Sequence, residues 1–277
     1  MDQVQKLQII QNNELLILKE IKRLCDKHSI RYILAFGSCL GAVRHDGFIP
    51  WDDDIDVAMP LDDYKRFLEI CKLELNEDFF LQTFETDKNY YYPFAKVRKN
   101  NTAFITWNSR NHHIHQGFWV DIFPIVKIPK NPMKLSALKL MILLSSYLQI
   151  GDFLKGFENA KDEIGKVRLS IITVLSVLPM SARIKLHNTI LRIYLKSPKE
   201  HDEIAVLLSA LWPTLKGCCF DTIEHKFVDD YYPIPRYYDQ YLTLLYGDYL
   251  QLPPVEKRVS HSPVIVDENK SYEYYID

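Results

Sequence analysis

The chain has little with which to build a disulfide scaffold or a structural zinc site. Its five cysteines are Cys25, Cys39, Cys71, Cys218 and Cys219, an odd count with no Cys-x-x-Cys pair, which favours a reducing compartment. It also lacks the run of eighteen or so uncharged residues that a membrane span needs. Its two most apolar stretches, Leu140–Leu144 and Leu169–Pro179, are bracketed by Lys139, Asp152, Arg168 and Arg183. An interfacial helix pair is the membrane contact those stretches still allow. No basic segment followed by an apolar one opens the sequence, so no secretory leader is expected. Repeats and low-complexity tracts are missing too, and with 47% hydrophobic residues over 277 positions the composition excludes disorder. That is enough to bury a sizeable core, as one large domain or as a core with an insertion.

The net charge of −2 gives no basic footprint for nucleic acid, but it conceals an asymmetry. Between Lys127 and Lys199 thirteen Lys and Arg face four acids, about +9, which leaves about −11 for the rest. This basic segment is also apolar. Two readings of it stand: an interfacial surface attracted to anionic lipid, or helices packed on the core and flanked by solubilising charge.

The densest chemistry lies in Phe36–Val57. Asp52, Asp54 and Asp56 recur with period two, so an extended chain puts them on one face and Asp53, Ile55 and Val57 on the other. A carboxylate row of this kind suits Mg²⁺, with Mn²⁺ as the alternative, held by one or two acids and by substrate phosphates. Without a cation the acids repel one another. Upstream, Gly37-Ser38 lets backbone approach a phosphate, and a helix starting near Ser38 aims free N–H groups at it. An acidic, solvated turn is the plain alternative for Asp52 and Asp53.

Periodicity predicts a helix over 3–28, a strand over 31–36, a helix over 38–45, a strand over 54–59 and a helix from Pro60 to Lys72. Strands are expected at 79–84, 93–99, 103–107 and 117–123. A helical pattern covers 132–196, broken near Gly151 and Pro179. A strand at 222–228 and a helix over 236–245 follow, with the last twenty or so residues as surface loop. Lys96 and Arg98 alternate with Val97, so both can face one site as phosphate ligands, or can protect a solvent-facing strand edge. The triplet His112, His113 and His115 has no cysteine or acid spaced to complete a zinc site.

These motifs resemble the LicD-type phosphorylcholine transferases, a branch of the nucleotidyltransferase superfamily similar to the fukutin-related proteins. The resemblance rests on Gly37-Ser38, on the Arg44 to Asp53 segment and Asp54-Ile55-Asp56, on Phe94–Thr102 and Gly117–Pro124, and on Tyr246–Pro254 with Arg258 and His261. It implies an α+β fold: a nucleotidyltransferase-like mixed sheet flanked by helices, with a helical insertion. The expected division is a catalytic core over 1–125, a helical insertion over 126–220, and a C-terminal segment over 221–277 that completes the core. The implied activity moves phosphocholine from CDP-choline to a hydroxyl of a lipid-linked, cell-surface glycan precursor of the teichoic acid or lipopolysaccharide type, releasing CMP.

Asp54, Asp56 and Asp121 would hold Mg²⁺, with Asp121 the third ligand or the general base. Gly37, Ser38, Arg44, Lys96 and Arg98 would hold the nucleotide and phosphates. Choline cannot donate a hydrogen bond, so aromatic faces must receive it; Trp119, Trp107 and Tyr92 are the candidates, Trp119 sharing a strand face with Asp121. Transfer of phosphoethanolamine, of ribitol phosphate or of a nucleotidyl group is the alternative within this fold. A glycan- or lipid-binding module with a structural cation is the alternative outside enzymes. The expected location is cytoplasmic, with 130–200 as the candidate peripheral contact on the inner face of the membrane.

Overall fold

The computed structural model describes residues 2–90, 92–107, 109–110, 112–128, 131–141, 177–179, 182–183, 185–186, 189, 203–207, 211–213, 221–258, 260 and 263–276. The first helix, α1 (Gln3–His28), begins at a capping box: the Asp2 carboxylate accepts from the Gln5 N–H at 2.7 Å, and the Gln5 side chain accepts from the Asp2 N–H at 3.1 Å. It ends at Ser29 in the left-handed conformation. Strand β1 (Ile33–Leu34) leads straight into α2 (Phe36–His45). Strand β2 (Asp56–Pro60) runs into α3 (Leu61–Glu74), whose first turn carries Asp62 and Asp63 as the helix dipole favours.

Strands β3 (Phe79–Gln82), β4 (Ala95–Lys99), β5 (Ala103–Thr106) and β6 (Trp119–Ile128) follow. The chain then gives a helical stretch at 132–141, strands β7 (Glu203–Leu207), β8 (Leu211–Pro213), β9 (Thr222–Phe227) and β10 (Asp230–Pro235), helix α4 (Tyr238–Tyr246), and β11 (Pro263–Asp267).

The central sheet is mixed, in the order β1-β2-β6-β4-β3, with β7 on β6 and β8 on β7. Among the described residues only the β2–β6 pair of this sheet is parallel, and it sets Asp56 opposite Asp121. The antiparallel β4–β6 pair sets Lys96 opposite Asp121 from the other side. Alternation then divides the sheet. Val57, Met59, Val97, Val120 and Ile122 join Ile17, Leu18 and Ile21 of α1 and Phe67 of α3 in one core. Ile33, Ala58, Phe94, Phe123 and Ile125 form a second cluster with Phe36 and Tyr92. The α+β class with a mixed sheet flanked by helices is the one the sequence predicts.

The expectation for the C-terminus needs correction. The C-terminal stretch is not all loop: β11 pairs antiparallel with β5, Val266 opposite Phe104 and Asp267 opposite Ala103. Its Val264-Ile265-Val266 run suits a strand, and Pro263 stands at its first position, where a missing N–H costs least. The segment after β9 is strand as well, since β10 pairs with β9 along its whole length. Strand β6 runs past residue 125 to Ile128, so the expected boundary between core and insertion falls inside a strand. Most of 142–200, including the breaks expected near Gly151, lies outside the described residues, as does most of the segment singled out for membrane contact. Among the described residues no helix is long and apolar enough to cross a membrane.

Candidate active site

The site is assembled at the end of the sheet where β1 stops and β2 starts. Between them α2 begins without a side-chain cap, which leaves the N–H groups of Gly37 and Ser38 to face an anion. Phe36, the first residue of α2, has φ 44°, a left-handed conformation costly for an aromatic residue. Its N–H donates to the Tyr241 hydroxyl of α4 at 3.2 Å, which fixes the turn from outside. Gly37 follows; a Cβ there would lie 2.9 Å from Asp52 Oδ2, so a larger residue would push that carboxylate aside.

Ser38 clasps the acidic strand. Its Oγ accepts from the Asp56 N–H at 2.8 Å, and the Asp56 carbonyl accepts from the Ala35 N–H at 2.9 Å. The start of β2 is thereby held on both sides by the turn. Burial along 52–57 alternates as the sequence pattern demands, with Asp52, Asp54 and Asp56 partly accessible and Asp53, Ile55 and Val57 buried. Burial pushes the Asp56 carboxyl well above the usual carboxylate range; Asp54, Asp121 and Asp52 add to the rise, and Lys96 opposes it. Three further carboxylates therefore bear on Asp56, and their repulsion is what a cation would relieve.

Lys96 and Asp121 form a buried ion pair. The Lys96 ammonium also lies 4.5 Å from the ring of Trp119 and 5.4 Å from those of Tyr92 and Phe94, so an aromatic enclosure surrounds a cation of the chain itself. Desolvation lowers the Lys96 pKa, against the pull of Asp121. Two of the three aromatic candidates, Trp119 and Tyr92, are thus brought together. Trp107 is not among them: it is 48% exposed after β5 and stacks on the Arg110 guanidinium at 3.5 Å.

Arg98 is buried one strand step beyond Lys96, donating from Nε to Gln82 Oε1 and from a terminal nitrogen to the Gly117 carbonyl at 2.7 Å. Arg44, at the end of α2, donates to the Tyr249 carbonyl at 2.7 Å and from Nε to His45 at 2.9 Å. Its pKa is lowered by desolvation and then by Arg258, so two guanidinium groups crowd one region, an arrangement an anion would stabilise. Arg258 lies over the Trp51 ring at 4.8 Å. Desolvation and then Asp56 and Asp52 raise the Tyr246 hydroxyl pKa. Below the acidic loop a cavity of about 670 Å³ is lined by Lys6, Ile10, Trp51, Asp53, Arg258 and Ser260.

His115 takes no metal. Its Nδ1 accepts from the Gly117 N–H at 3.2 Å, its Nε2 faces Asn100 Oδ1 at 3.1 Å, and it stacks on Phe80. Among the described residues no three His, Cys, Asp or Glu side chains stand at a spacing that holds one ion. Two acidic oxygens plus substrate phosphates suffice for Mg²⁺, and the donor set of carboxylates under mutual repulsion fits such a hard cation.

Sequence reasoning missed Tyr241, which acts from α4, about two hundred residues from the turn, with no local pattern to mark it; Tyr246 it read as the start of the C-terminal block. Glu14 carries a readable signal: with Ile10, Ile17, Leu18 and Ile21 it occupies the buried stripe of α1, where an acid is out of place.

Carboxylates on adjoining strands, a helix start facing them and basic residues at their edge define a nucleotidyltransferase-type site. Residues 29–139 match the LicD/FKTN/FKRP nucleotidyltransferase domain. The chain is 30% identical over 252 residues to the lipopolysaccharide cholinephosphotransferase LicD of Haemophilus influenzae, covering 88% of this chain and 91% of that protein. It is 31% identical over 90 residues to the mouse ribitol 5-phosphate transferase FKRP, 32% of this chain and 16% of that protein. An uncharacterised protein of Rickettsia typhi is 41% identical over 54 residues, 20% of this chain and 18% of that one. The chain belongs to the LicD family of the nucleotidyltransferase superfamily, and this membership supports a LicD-type transferase activity.

Proposed function

We propose that this protein transfers phosphocholine from CDP-choline to a hydroxyl of a cell-surface glycan precursor, releasing CMP. The observation that carries the reading is the meeting of Asp56, Asp121 and Lys96 across two strand pairs at the open end of α2. In this reading Gly37 and Ser38 receive the phosphates at the helix start, and Arg44 with Arg258 neutralises their outer oxygens. Mg²⁺ held by Asp54 and Asp56 together with substrate phosphates, with Asp121 beside them as the base, would screen the diphosphate charge that otherwise repels an incoming oxygen.

The acceptor hydroxyl oxygen forms a bond to the phosphorus that bears choline. The bond from that phosphorus to the bridging oxygen breaks, the bridging oxygen leaves with CMP, and the hydroxyl proton passes to Asp121 or to water. Lys96 offsets the charge gathered on the transferred group. Tyr92, Phe94 and Trp119 are taken up by the ammonium of Lys96, so what supports choline over a polyol is the similarity along 88% of this chain to a lipopolysaccharide cholinephosphotransferase. The cavity beside Trp51 and Arg258 gives an acceptor room next to the acidic loop. The assay is mass spectrometry of products from CDP-choline, CDP-ethanolamine and CDP-ribitol with a panel of glycan acceptors and Mg²⁺. CMP release with a choline phosphodiester on the glycan is expected; a product from CDP-ribitol alone would overturn the choline assignment.

A further inference from the structure

Glu14 is the most anomalous polar group among the described residues. It is 0% exposed in the apolar stripe of α1, and neither carboxylate oxygen has a hydrogen-bond partner. A solvated carboxylate gives up a great deal to enter such a place, and a Gln or Met of similar size would fill the same space without burying a charge. Packing alone therefore does not account for it.

Its surroundings indicate what does. One helical turn earlier, the Gln11 side chain donates to the Asp52 carbonyl at 2.9 Å, so this face of α1 is fastened to the acidic loop. Helix α1 also packs on β6 and β4, the strands of Asp121 and Lys96. Burial raises the Glu14 pKa well above the usual carboxylate range, and Asp54, Asp53, Asp52 and Asp121 raise it further in that order. Those four acids are of its own sign, and Glu14 lies before the 29–139 segment that matches the family domain.

We propose that Glu14 is an outer carboxylate of the cation site, accepting hydrogen bonds from water carried by the ion that Asp54 and Asp56 hold. This rests on the cation reading given above. An outer position agrees with the spacing, since Glu14 does not complete a three-ligand group with the aspartates. Residues in this position orient bound water and raise affinity while leaving the ligand set unchanged. Glu14 is thus a positioning residue, and α1 becomes part of the site.

The test is Mn²⁺ binding to the full chain, followed by calorimetry and by the loss of the free-ion EPR signal, for wild type, Glu14→Gln, Glu14→Met and Asp56→Asn. Melting in chelator is recorded for each. Glu14→Gln and Glu14→Met are expected to bind Mn²⁺ about 10- to 100-fold more weakly while melting in chelator at or above the wild-type temperature. An Mn²⁺ affinity within about threefold of wild type in both Glu14 variants, with binding lost in Asp56→Asn, overturns the role of Glu14 and leaves the cation site standing. No Mn²⁺ binding by wild type removes the cation reading and this inference together. Loss of cooperative melting in chelator in both Glu14 variants assigns Glu14 a purely structural role and also overturns the proposal.

Discussion

Replacing Lys96 by Met should cost the metal-free protein much of its stability and the loaded protein less. Lys96 is 6% exposed and Asp121 8%, so deleting the ammonium leaves a carboxylate buried with the repulsion of the neighbouring aspartates and with Arg98 left to oppose it. Breaking a buried pair on one side costs about 3–5 kcal/mol, of the order of 10 °C in melting temperature for a chain of this size. The methionine keeps contact with Trp119, Tyr92 and Phe94, so the loss is electrostatic and not a cavity. A divalent cation on the aspartates supplies the missing charge. Ion at about a hundred times its Kd returns roughly 2.7 kcal/mol.

Removing both partners, in Lys96→Met with Asp121→Asn, should restore most of the stability in chelator, since neutral replacement of a buried pair is often near neutral. The assay is urea unfolding of wild type, both single variants and the double variant, with chelator and with Mg²⁺. A loss under about 1 kcal/mol in Lys96→Met, or a double variant no more stable than the worse single one, would refute the account of this pair as buried and mutually dependent.

Asp54→Asn and Asp56→Asn should each abolish turnover with the fold retained, because a lost ligand removes several kcal/mol of charge stabilisation; more than about a tenth of wild-type rate at saturating Mg²⁺, a margin of only ~1.4 kcal/mol, contradicts the assignment. Gly37→Ala should displace Asp52 and lower kcat with little change in melting temperature, since the new methyl meets a side-chain oxygen and no backbone; unchanged kinetics would show that the turn has room to spare. His115 is held neutral, its pKa pushed down to about 3 by burial and then by Arg98. The unfolded chain takes up that proton near pH 6.5 and the folded chain does not, so stability falls as pH drops from about 6.5 toward about 3. His115→Gln should flatten that fall, as measured by urea unfolding across the same range.

Much of this architecture could be read from spacing. The apolar stripe of α1 and the period-two acids before β2 are local signals, and the alternating burial of residues 52–57 follows them. Lys96 was legible as sharing a strand face with Arg98, and Asp121 with Trp119, but the register that makes Lys96 and Asp121 partners is a property of the sheet. Strand β10 hid because Pro233 and Pro235 argue against a central strand, and a two-stranded ribbon tolerates them. The turn before it was equally hidden. Val228 takes φ 60°, rare for a β-branched residue, and its N–H donates to the Asp46 carbonyl at 2.7 Å, a contact no hairpin signature encodes. Trp107 was unreadable in the opposite sense: its composition suited an aromatic enclosure that its position after β5 does not reach.

The clasp of Tyr241 on Phe36 and of Arg44 on the Tyr249 carbonyl spans 205 residues in each case. During synthesis from the N-terminus, the acidic strand, β4 and β6 emerge well before α4 and the segment that follows it. A nascent chain can gather its aspartates and still have no support for the strained turn that faces them. Competence for transfer therefore arrives late in translation, and a chain stopped just short of α4 would keep its carboxylates and lose the geometry that makes them useful.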